Sequence, residues 1–205
     1  MSTICLPCPV PVPLPAILPA TLPRLQRAAR VVGKTLVLRD AVPADAAFIV
    51  ALRTDPVKGA HLSATAADVG KQRSWLAHYR GRDDEAYFVI ESRGGAALGT
   101  VRLYAPRGDA LSWGSWILAA GAPAVAAIES ALMVYAYARD HLGFVSAYFE
   151  VQAANERVWA FHERFGAVRV GVHAGAFHYT LTGDAIGLSM QRYRRFLPDG
   201  VEVLR

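Results

Sequence analysis

The sequence predicts an α/β (α+β) fold with a mixed, mostly antiparallel central sheet of about seven strands flanked by helices. Three apolar segments rich in β-branched and aromatic residues lie between residues 86 and 118 and are separated only by short glycine-containing turns. Longer segments with helical spacing separate the other predicted strands. Of the 205 residues, 53% are apolar and 19% are charged, which is typical of a globular chain that can bury a sizeable core.

The first 34 residues differ in composition from the rest of the chain. Seven of the twelve prolines lie within the first 23 residues. Because proline fixes φ and lacks an N–H, we expect a proline-rich, flexible arm over residues 1–34 and a single domain over residues 35–205. The prolines exclude a membrane-spanning helix, and the arginines follow the apolar run instead of preceding it, unlike a signal peptide. We favour a dispensable leader over a partner-binding segment.

Both cysteines, Cys5 and Cys8, lie in this arm. They form a CxxC pair flanked by prolines, whereas thiol redox chemistry requires such a pair at a helix start. A zinc site needs about four ligands, and the chain has no second cysteine pair. We therefore predict two free thiols and no bound metal. The lack of cysteine in residues 35–205 suits a reducing cytoplasm, where we expect the protein to act.

The positive charge is concentrated in the same arm. Residues 1–34 contain no acidic residue but four basic ones, Arg24, Arg27, Arg30 and Lys34. Subtracting these four charges from the net charge of +5 leaves +1 for residues 35–205. Nucleic-acid binding needs a concentrated basic surface. We therefore predict that the domain has neither a nucleic acid nor a membrane as its partner.

The first half of the domain contains two helical patterns among four strand patterns. TLVLRD begins the domain as a strand, and Pro43 is suited to the first turn of a helix. Short turns between the next three strands predict an antiparallel meander. The predicted ranges are strand 35–40, a helix from Pro43 to about residue 54, helix 67–79, and strands 86–92, 97–105 and 110–118.

The second half begins with the longest helical pattern, about residues 124–142, which is apolar on most sides and is therefore expected to be buried. Further predicted elements are strand 145–152, a helix capped by Asn155 and ended by Gly166, strands 167–173 and 176–182, and helix 184–197. The stretch Ser112–Ala167 thus brings a strand end, a helix N-terminus and a polar helix together. Such a crevice favours an anionic group, for example a pyrophosphate.

Over residues 35–197 the chain resembles the GNAT family, the Gcn5-related N-acetyltransferases. LVLRD, TVRLY and NERVWAFHERFGA resemble the subgroup that includes ribosomal-protein N-terminal acetyltransferases. WGSWIL, AAIESALMVYAYA and FHERFGA more closely resemble GNAT enzymes of surface-polysaccharide clusters, which acylate amino groups of nucleotide-linked sugars. The resemblance implies a GNAT-like fold, acetyl-CoA as co-substrate, a small-molecule amine as acceptor, and a homodimer as one assembly.

The resemblance also implies roles for particular residues. The Leu118 amide would stabilise the oxyanion that develops at the thioester carbonyl. Asn155 would bond to the pantetheine arm or hold the adjacent loop. The residues implied to bind the coenzyme are Trp116, Ile117, Leu118, Gly121, Ala122, Ala124, Val125, Ala126 and Asn155.

The phosphate loop departs from the family pattern Arg/Gln-x-x-Gly-x-Gly/Ala. With the match anchored on Glu129, Val125 replaces the inner glycine, and Pro123 removes an N–H donor. The helix dipole is retained, so we expect weakened or rearranged coenzyme binding. The alternative is a scaffold that no longer binds acetyl-CoA.

His162 occupies the position of a tyrosine acid in many relatives, and imidazole suits proton transfer at neutral pH. Its spacing with Val158, Phe161 and Phe165 equally fits a core histidine. Glu150 is the carboxylate nearest the predicted cleft and is the candidate base. These residues lead to three hypotheses: acetyl transfer to a nucleotide-linked amino sugar, acetyl transfer to a protein N-terminus, and a non-catalytic binding module.

Overall fold

The computed structural model describes residues 22–62 and 65–205. The helices are α1 (Ala46–Arg53), α2 (Val69–Tyr79), α3 (Val125–Ala136), α4 (Glu156–Arg164) and α5 (Gly183–Arg192). The strands are β1 (Arg30–Val32), β2 (Leu36–Asp40), β3 (Glu85–Ser92), β4 (Ala97–Arg107), β5 (Ala110–Leu118), β6 (Ser146–Gln152), β7 (Val168–His173), β8 (Ala176–Leu181) and β9 (Glu202–Leu204). The predicted alternation is confirmed, with one further strand at each end. No helix of the described residues is long and apolar enough to cross a membrane.

All strands of the described chain join one sheet in the order β7-β8-β6-β5-β4-β3-β2-β1-β9. Strands β3, β4 and β5 form the predicted meander. Every neighbouring pair is antiparallel except β5 and β6, which are parallel. A parallel pair requires a crossover connection, which α3 supplies. The mixed sheet therefore has its single parallel junction between the two strands of the predicted cleft.

The boundary predicted at residue 34 is too late. β1 pairs with both β2 and β9, and Leu25 and Ala28 are buried in the core. A three-residue strand carries too little periodicity to be recognised, and this one is ordered by partners at both ends of the chain. Residues 1–21, including Cys5 and Cys8, lie outside the described residues, so the predictions made for them stay predictions.

The sheet is covered on both faces. Alternation along β3 directs Phe88 and Ile90 towards the larger core, which also includes residues of α3, and directs Tyr87 and Val89 towards a smaller core under α1 and α2. The large core confirms that the alanine-rich helix α3 is buried. At its C-terminal end, the predicted continuation to residue 142 is a π-helical turn over Tyr137–His141. The last predicted helix ends at Arg192 and is followed by a 3-10 turn over Arg194–Phe196.

A buried carboxylate fixes α3 against β2. Glu129 is only 1% exposed. One of its carboxylate oxygens accepts from the Thr35 N–H at 2.6 Å and from the Leu36 N–H at 3.0 Å, while the other accepts from the Thr35 hydroxyl at 2.5 Å. These bonds replace the water that an ionised carboxylate would otherwise need. Glu129 therefore couples the position of α3 to the sheet.

Candidate active site

The candidate site is a cleft where β5 and β6 diverge. The two strands pair only from Ala110 to Ser112 on β5 and from Ser146 to Tyr148 on β6. Beyond that point β5 continues to Leu118 and β6 to Gln152 with no pairing between them. Each strand therefore presents an unpaired backbone edge to the gap, which an extended ligand can use for hydrogen bonds.

The cleft has a volume of about 480 Å³ and is lined from both faces of the sheet. Trp113 and Phe149 belong to the large core on the α3 side. Glu150 alternates with Phe149 and therefore lies on the opposite face. The cleft thus passes between the strands from one face of the sheet to the other. The remaining lining includes Ala60, His61, Leu62, Tyr104, Ser115, Trp116, Asn155, Val158 and His162.

The Leu118 amide faces the unpaired side of β5. The next N–H, that of Ala119, donates to the Leu98 carbonyl on β4 at 2.8 Å. Because successive N–H groups in an antiparallel strand point in opposite directions, the Leu118 N–H points away from β4. Gly99 lies opposite Leu118, and a Cβ at Gly99 would be 2.3 Å from the Ile117 carbonyl oxygen, so this close approach requires glycine.

Two of the residues predicted to bind the coenzyme, Ile117 and Ala126, are buried. The Ile117 side chain is buried in the sheet, and by the same alternation its backbone faces β4. Ala126, in the first turn of α3, is fully buried. Both residues therefore pack in the core and do not line the cleft. The sequence could not show this, because a contiguous run does not reveal which alternate residues face the ligand.

A bulge in β5 shapes the cleft beside Leu118. Ser115 has φ of +47°, an unusual conformation for a residue with a side chain, and the β4–β5 register shifts at this point. The Thr100 hydroxyl donates to the Ser115 carbonyl at 2.9 Å, and Arg53 Nη1 donates to the Ser115 hydroxyl at 3.2 Å. These contacts hold the bulge and direct Ser115 towards the region of α1 and α2.

The predicted phosphate loop runs from Ala119 into α3. Gly121 has φ of +82°, which glycine adopts without strain. Ala124 occupies the N-cap position without a side-chain cap, while the Ala126 N–H donates to the Pro123 carbonyl at 2.8 Å. Val125 is 41% exposed in the first turn. Gly121, Ala122, Ala124 and Val125 therefore form an open loop above a helix N-terminus, next to the cleft but outside its lining.

His162 is 5% exposed and is surrounded by aromatic rings. Its ring centroid lies 4.3 Å from that of Phe149, 5.2 Å from that of Trp113 and 5.9 Å from that of Trp116. Burial lowers the pKa of His162 to about 3. Its Nδ1 atom has no hydrogen-bond partner within the described residues. The imidazole is therefore neutral at pH 7, and a protonated acid is not available before the coenzyme binds.

The low pKa of His162 gives a testable pH dependence of stability. The unfolded histidine takes up a proton below about pH 6.5, whereas the folded one does not until about pH 3, so stability falls as the pH falls through this window. Relative to His162→Phe, the wild type should lose about 1.4 kcal/mol of unfolding free energy per pH unit between pH 6 and 4. Urea unfolding at several pH values measures this difference, and parallel curves for the two proteins would refute it.

The cleft brings together Glu150, Asn155 and His162, which the sequence singled out, with Trp116. Glu150 is exposed on β6 opposite His178 of β8. The Asn155 carbonyl accepts from the N–H groups of Val158 and Trp159, both at 3.1 Å, while its side chain makes no cap bond. The side-chain amide of Asn155 is therefore available to bind a ligand in the cleft.

Sequence reasoning missed two contributions to the cleft. Tyr104 on β4 lines it, as do His61 and its neighbours between α1 and α2. The only sequence signal for Tyr104 is its place in the TVRLY strand, and the loop residues carry none. Both groups lie on the side of the sheet that faces α2.

Comparison with known proteins supplies the deciding observation. The family model described as Acetyltransferase (GNAT) domain matches residues 35–168. The chain belongs to the GNAT family. It is therefore an N-acetyltransferase, and GNAT enzymes use acetyl-CoA. No curated protein matches this GNAT chain in sequence.

Solved structures support the assignment. FdhC, described as a nucleotide-linked sugar GNAT, is 32% identical, with a TM-score of 0.73 over 85% of this chain and 98% of its own. A probable acetyltransferase from Chromobacterium violaceum is 15% identical, with a TM-score of 0.68 over 87% and 98%. Spermidine N-acetyltransferase from Vibrio cholerae, solved with CoA and spermine, is 17% identical, with a TM-score of 0.63 over 74% and 98%. The last two show the fold alone.

The described residues fit an extended acyl-CoA. The unpaired β5 edge offers backbone donors and acceptors to an amide-containing arm, and the α3 N-terminus next to it favours phosphate groups. No group of three or more His, Cys, Asp or Glu side chains in the described chain is arranged to hold a metal. The donor set therefore suits thioester binding along a strand.

Proposed function

We propose that this GNAT enzyme transfers the acetyl group of acetyl-CoA to the primary amine of a nucleotide-linked amino sugar, in surface-polysaccharide biosynthesis. The observation that carries the proposal is the 32% identity to a nucleotide-linked sugar GNAT over nearly its whole length. The cleft supports it, because residues from both faces of the sheet line it, so that coenzyme and acceptor can meet between β5 and β6. The expected cytoplasmic location and homodimer stay predictions.

In the proposed reaction, the acceptor nitrogen attacks the thioester carbonyl carbon, and the C–S bond then breaks. The Leu118 N–H donates to the oxyanion that develops on the carbonyl oxygen. The amine must reach the cleft unprotonated. After it attacks, Glu150, an exposed residue of the cleft lining, takes through water the proton that the nitrogen loses. The nitrogen loses one proton in the reaction and the coenzyme A thiol gains one.

The low pKa of His162 changes the role that we propose for it. A neutral imidazole donates a hydrogen bond from one ring nitrogen. We therefore propose that His162 donates to the departing sulfur and that it starts as a neutral ring rather than an imidazolium. Negative charge developing on sulfur in this apolar pocket would strengthen the bond, because hydrogen bonds to charged acceptors are stronger than those to neutral ones.

Glu150→Gln should lower kcat by about 100-fold, because general-base assistance typically contributes this much or more. Glu156→Gln is the matched control, since Glu156 is an exposed carboxylate at the start of α4 that does not line the cleft. Thiol release from acetyl-CoA is measured with amino-sugar nucleotides as acceptors. An unchanged kcat in Glu150→Gln would remove this residue from the mechanism.

The same assay tests the acceptor class. We expect thiol release with amino-sugar nucleotides and little with spermidine or with peptides that have free N-termini. Preferential turnover of peptides would favour the protein N-terminal acetyltransferase. If calorimetry detects no acetyl-CoA binding up to millimolar concentration, the chain is a scaffold with a degenerate phosphate loop.

A further inference from the structure

A second cavity lies on the α2 side of the sheet, next to the cleft. Its volume is about 350 Å³, within the range of small-molecule sites. Ser115 of the bulge lines both the cavity and the cleft, so the two spaces adjoin at this residue. A ligand that extends through both would place one end beside the unpaired β5 edge.

The cavity is rich in cationic side chains. Arg53, Lys71 and Arg102 line it, with Asp68 as the only carboxylate in the lining. Lys71 is 78% exposed, and its Nζ lies 3.9 Å from the nearer Asp68 oxygen, too far for a hydrogen bond. Even with the Glu85 carboxylate that contacts Arg102 from outside the lining, three cationic side chains face two carboxylates, and this surplus of positive charge disfavours a polyamine or a lysine side chain and favours an anion.

Arg102 is held in position before any ligand arrives. Its Nε and Nη2 atoms both contact the buried Glu85 carboxylate. Its guanidinium lies 5.4 Å from the Trp75 ring centroid and 5.2 Å from that of Tyr104. No hydrogen bond within the described chain uses Nη1. A planar guanidinium fixed in this way suits phosphate oxygens, because little side-chain entropy is lost on binding.

The aromatic residues of the cavity support Arg102 and are not free to stack on a base. Trp75 stacks on Tyr79 with ring centroids 5.7 Å apart and carries Arg102 over its ring. The buried Tyr87 belongs to the smaller core. The lining is thus suited to phosphate oxygens more than to a nucleobase.

We propose that this cavity is an anion-binding subsite that holds the diphosphate of the acceptor, with Arg53, Lys71 and Arg102 as its ligands. The proposal rests on the proposed function, since a nucleotide-linked sugar carries a diphosphate next to the sugar. With the diphosphate in the cavity, the attached sugar extends past Ser115 into the cleft. The subsite then selects for nucleotide-linked sugars over free amino sugars.

The test is calorimetric binding of uridine diphosphate, thymidine diphosphate and inorganic pyrophosphate to the full chain. Lys71→Gln should weaken binding of the nucleoside diphosphates about 10-fold. The double variant Glu85→Gln/Arg102→Gln, which leaves no buried carboxylate unpaired, should weaken it about 100-fold. Arg139→Gln is the control, because Arg139 pairs with Asp140 in the π-helical turn, away from the cavity. The affinity for acetyl-CoA should be unchanged in all variants.

Three results would overturn the subsite: none of the three probes binds at 10 mM, the cavity variants bind as tightly as the wild type, or the variants lose affinity for acetyl-CoA instead. The last would assign the phosphate contact to the coenzyme. The measurement does not depend on turnover. If the diphosphates bind but no acetyl transfer to sugar nucleotides occurs, the proposed function is refuted and the subsite is not. If transfer occurs and the cavity variants keep the wild-type KM for the acceptor, the subsite is refuted and the proposed function is not.

Discussion

Leu118→Pro should lower kcat by about 10²–10³-fold, the usual effect of removing one oxyanion donor. Proline lacks the N–H but leaves the β4–β5 ladder intact, because the Leu118 N–H points away from β4. Its preferred φ is compatible with the end of a strand whose other side has no pairing partner, as β5 has beyond Ser112. The KM for acetyl-CoA should change far less than kcat, since the lost interaction forms mainly in the transition state.

Ala119→Pro is the matched control for this experiment. The Ala119 N–H donates to the Leu98 carbonyl at 2.8 Å, so proline here removes a ladder bond and should lower the unfolding free energy instead. Steady-state kinetics and urea unfolding of both variants separate the two effects. Near-wild-type kcat in a folded Leu118→Pro protein would show that another donor stabilises the oxyanion.

Glu129→Ala should lower the free energy of unfolding by about 3 kcal/mol. The substitution leaves the N–H groups of Thr35 and Leu36 without their acceptor inside the protein, and hydrogen bonds to charged groups are worth about 1.5–3 kcal/mol each. Glu129→Gln keeps one acceptor oxygen and should be destabilised less. Urea denaturation monitored by tryptophan fluorescence measures both losses.

Thr35→Val isolates one of the three bonds. It removes the hydroxyl that contacts the second Glu129 oxygen but keeps the backbone N–H, so we expect a smaller loss of about 1.5 kcal/mol. If Glu129→Ala and Thr35→Val prove equally destabilised, the two backbone bonds contribute little. The link from α3 to β2 would then depend on the hydroxyl.

The elements set by local signals were predictable from the sequence. Glycine turns and alternation located the β3–β5 meander, and the apolar pattern around Ile128 and Leu132 identified a buried helix. The strands β1 and β9 were missed, because each has three residues and is stable only through its partners. Burial of Glu129 was missed for a related reason: its acceptor role requires backbone donors from a strand 93 residues earlier in the chain.

For the candidate site, the resemblance pointed to β5 and β6, the two strands that border the cleft, but it could not show which of their residues line it. The Ser115 bulge beside the cleft is held by tertiary contacts, including one from Arg53, which no local pattern encodes. The pKa of His162 depends on rings from β5, β6 and α4 that meet only in the folded chain. Tyr104 and the residues around His61 became visible as cleft residues for the same reason.

The pairing of β1 with β9 bears on how the chain can be shortened. Arg30 lies directly opposite Leu204, so the beginning and the end of the described chain pair with each other at one edge of the sheet. A protein shortened to start at residue 35 would keep every residue of the family match yet leave two strand edges open to intermolecular pairing. A shortened protein that keeps this pairing therefore has to include Arg30–Val32 and Glu202–Leu204, which both lie outside the family match.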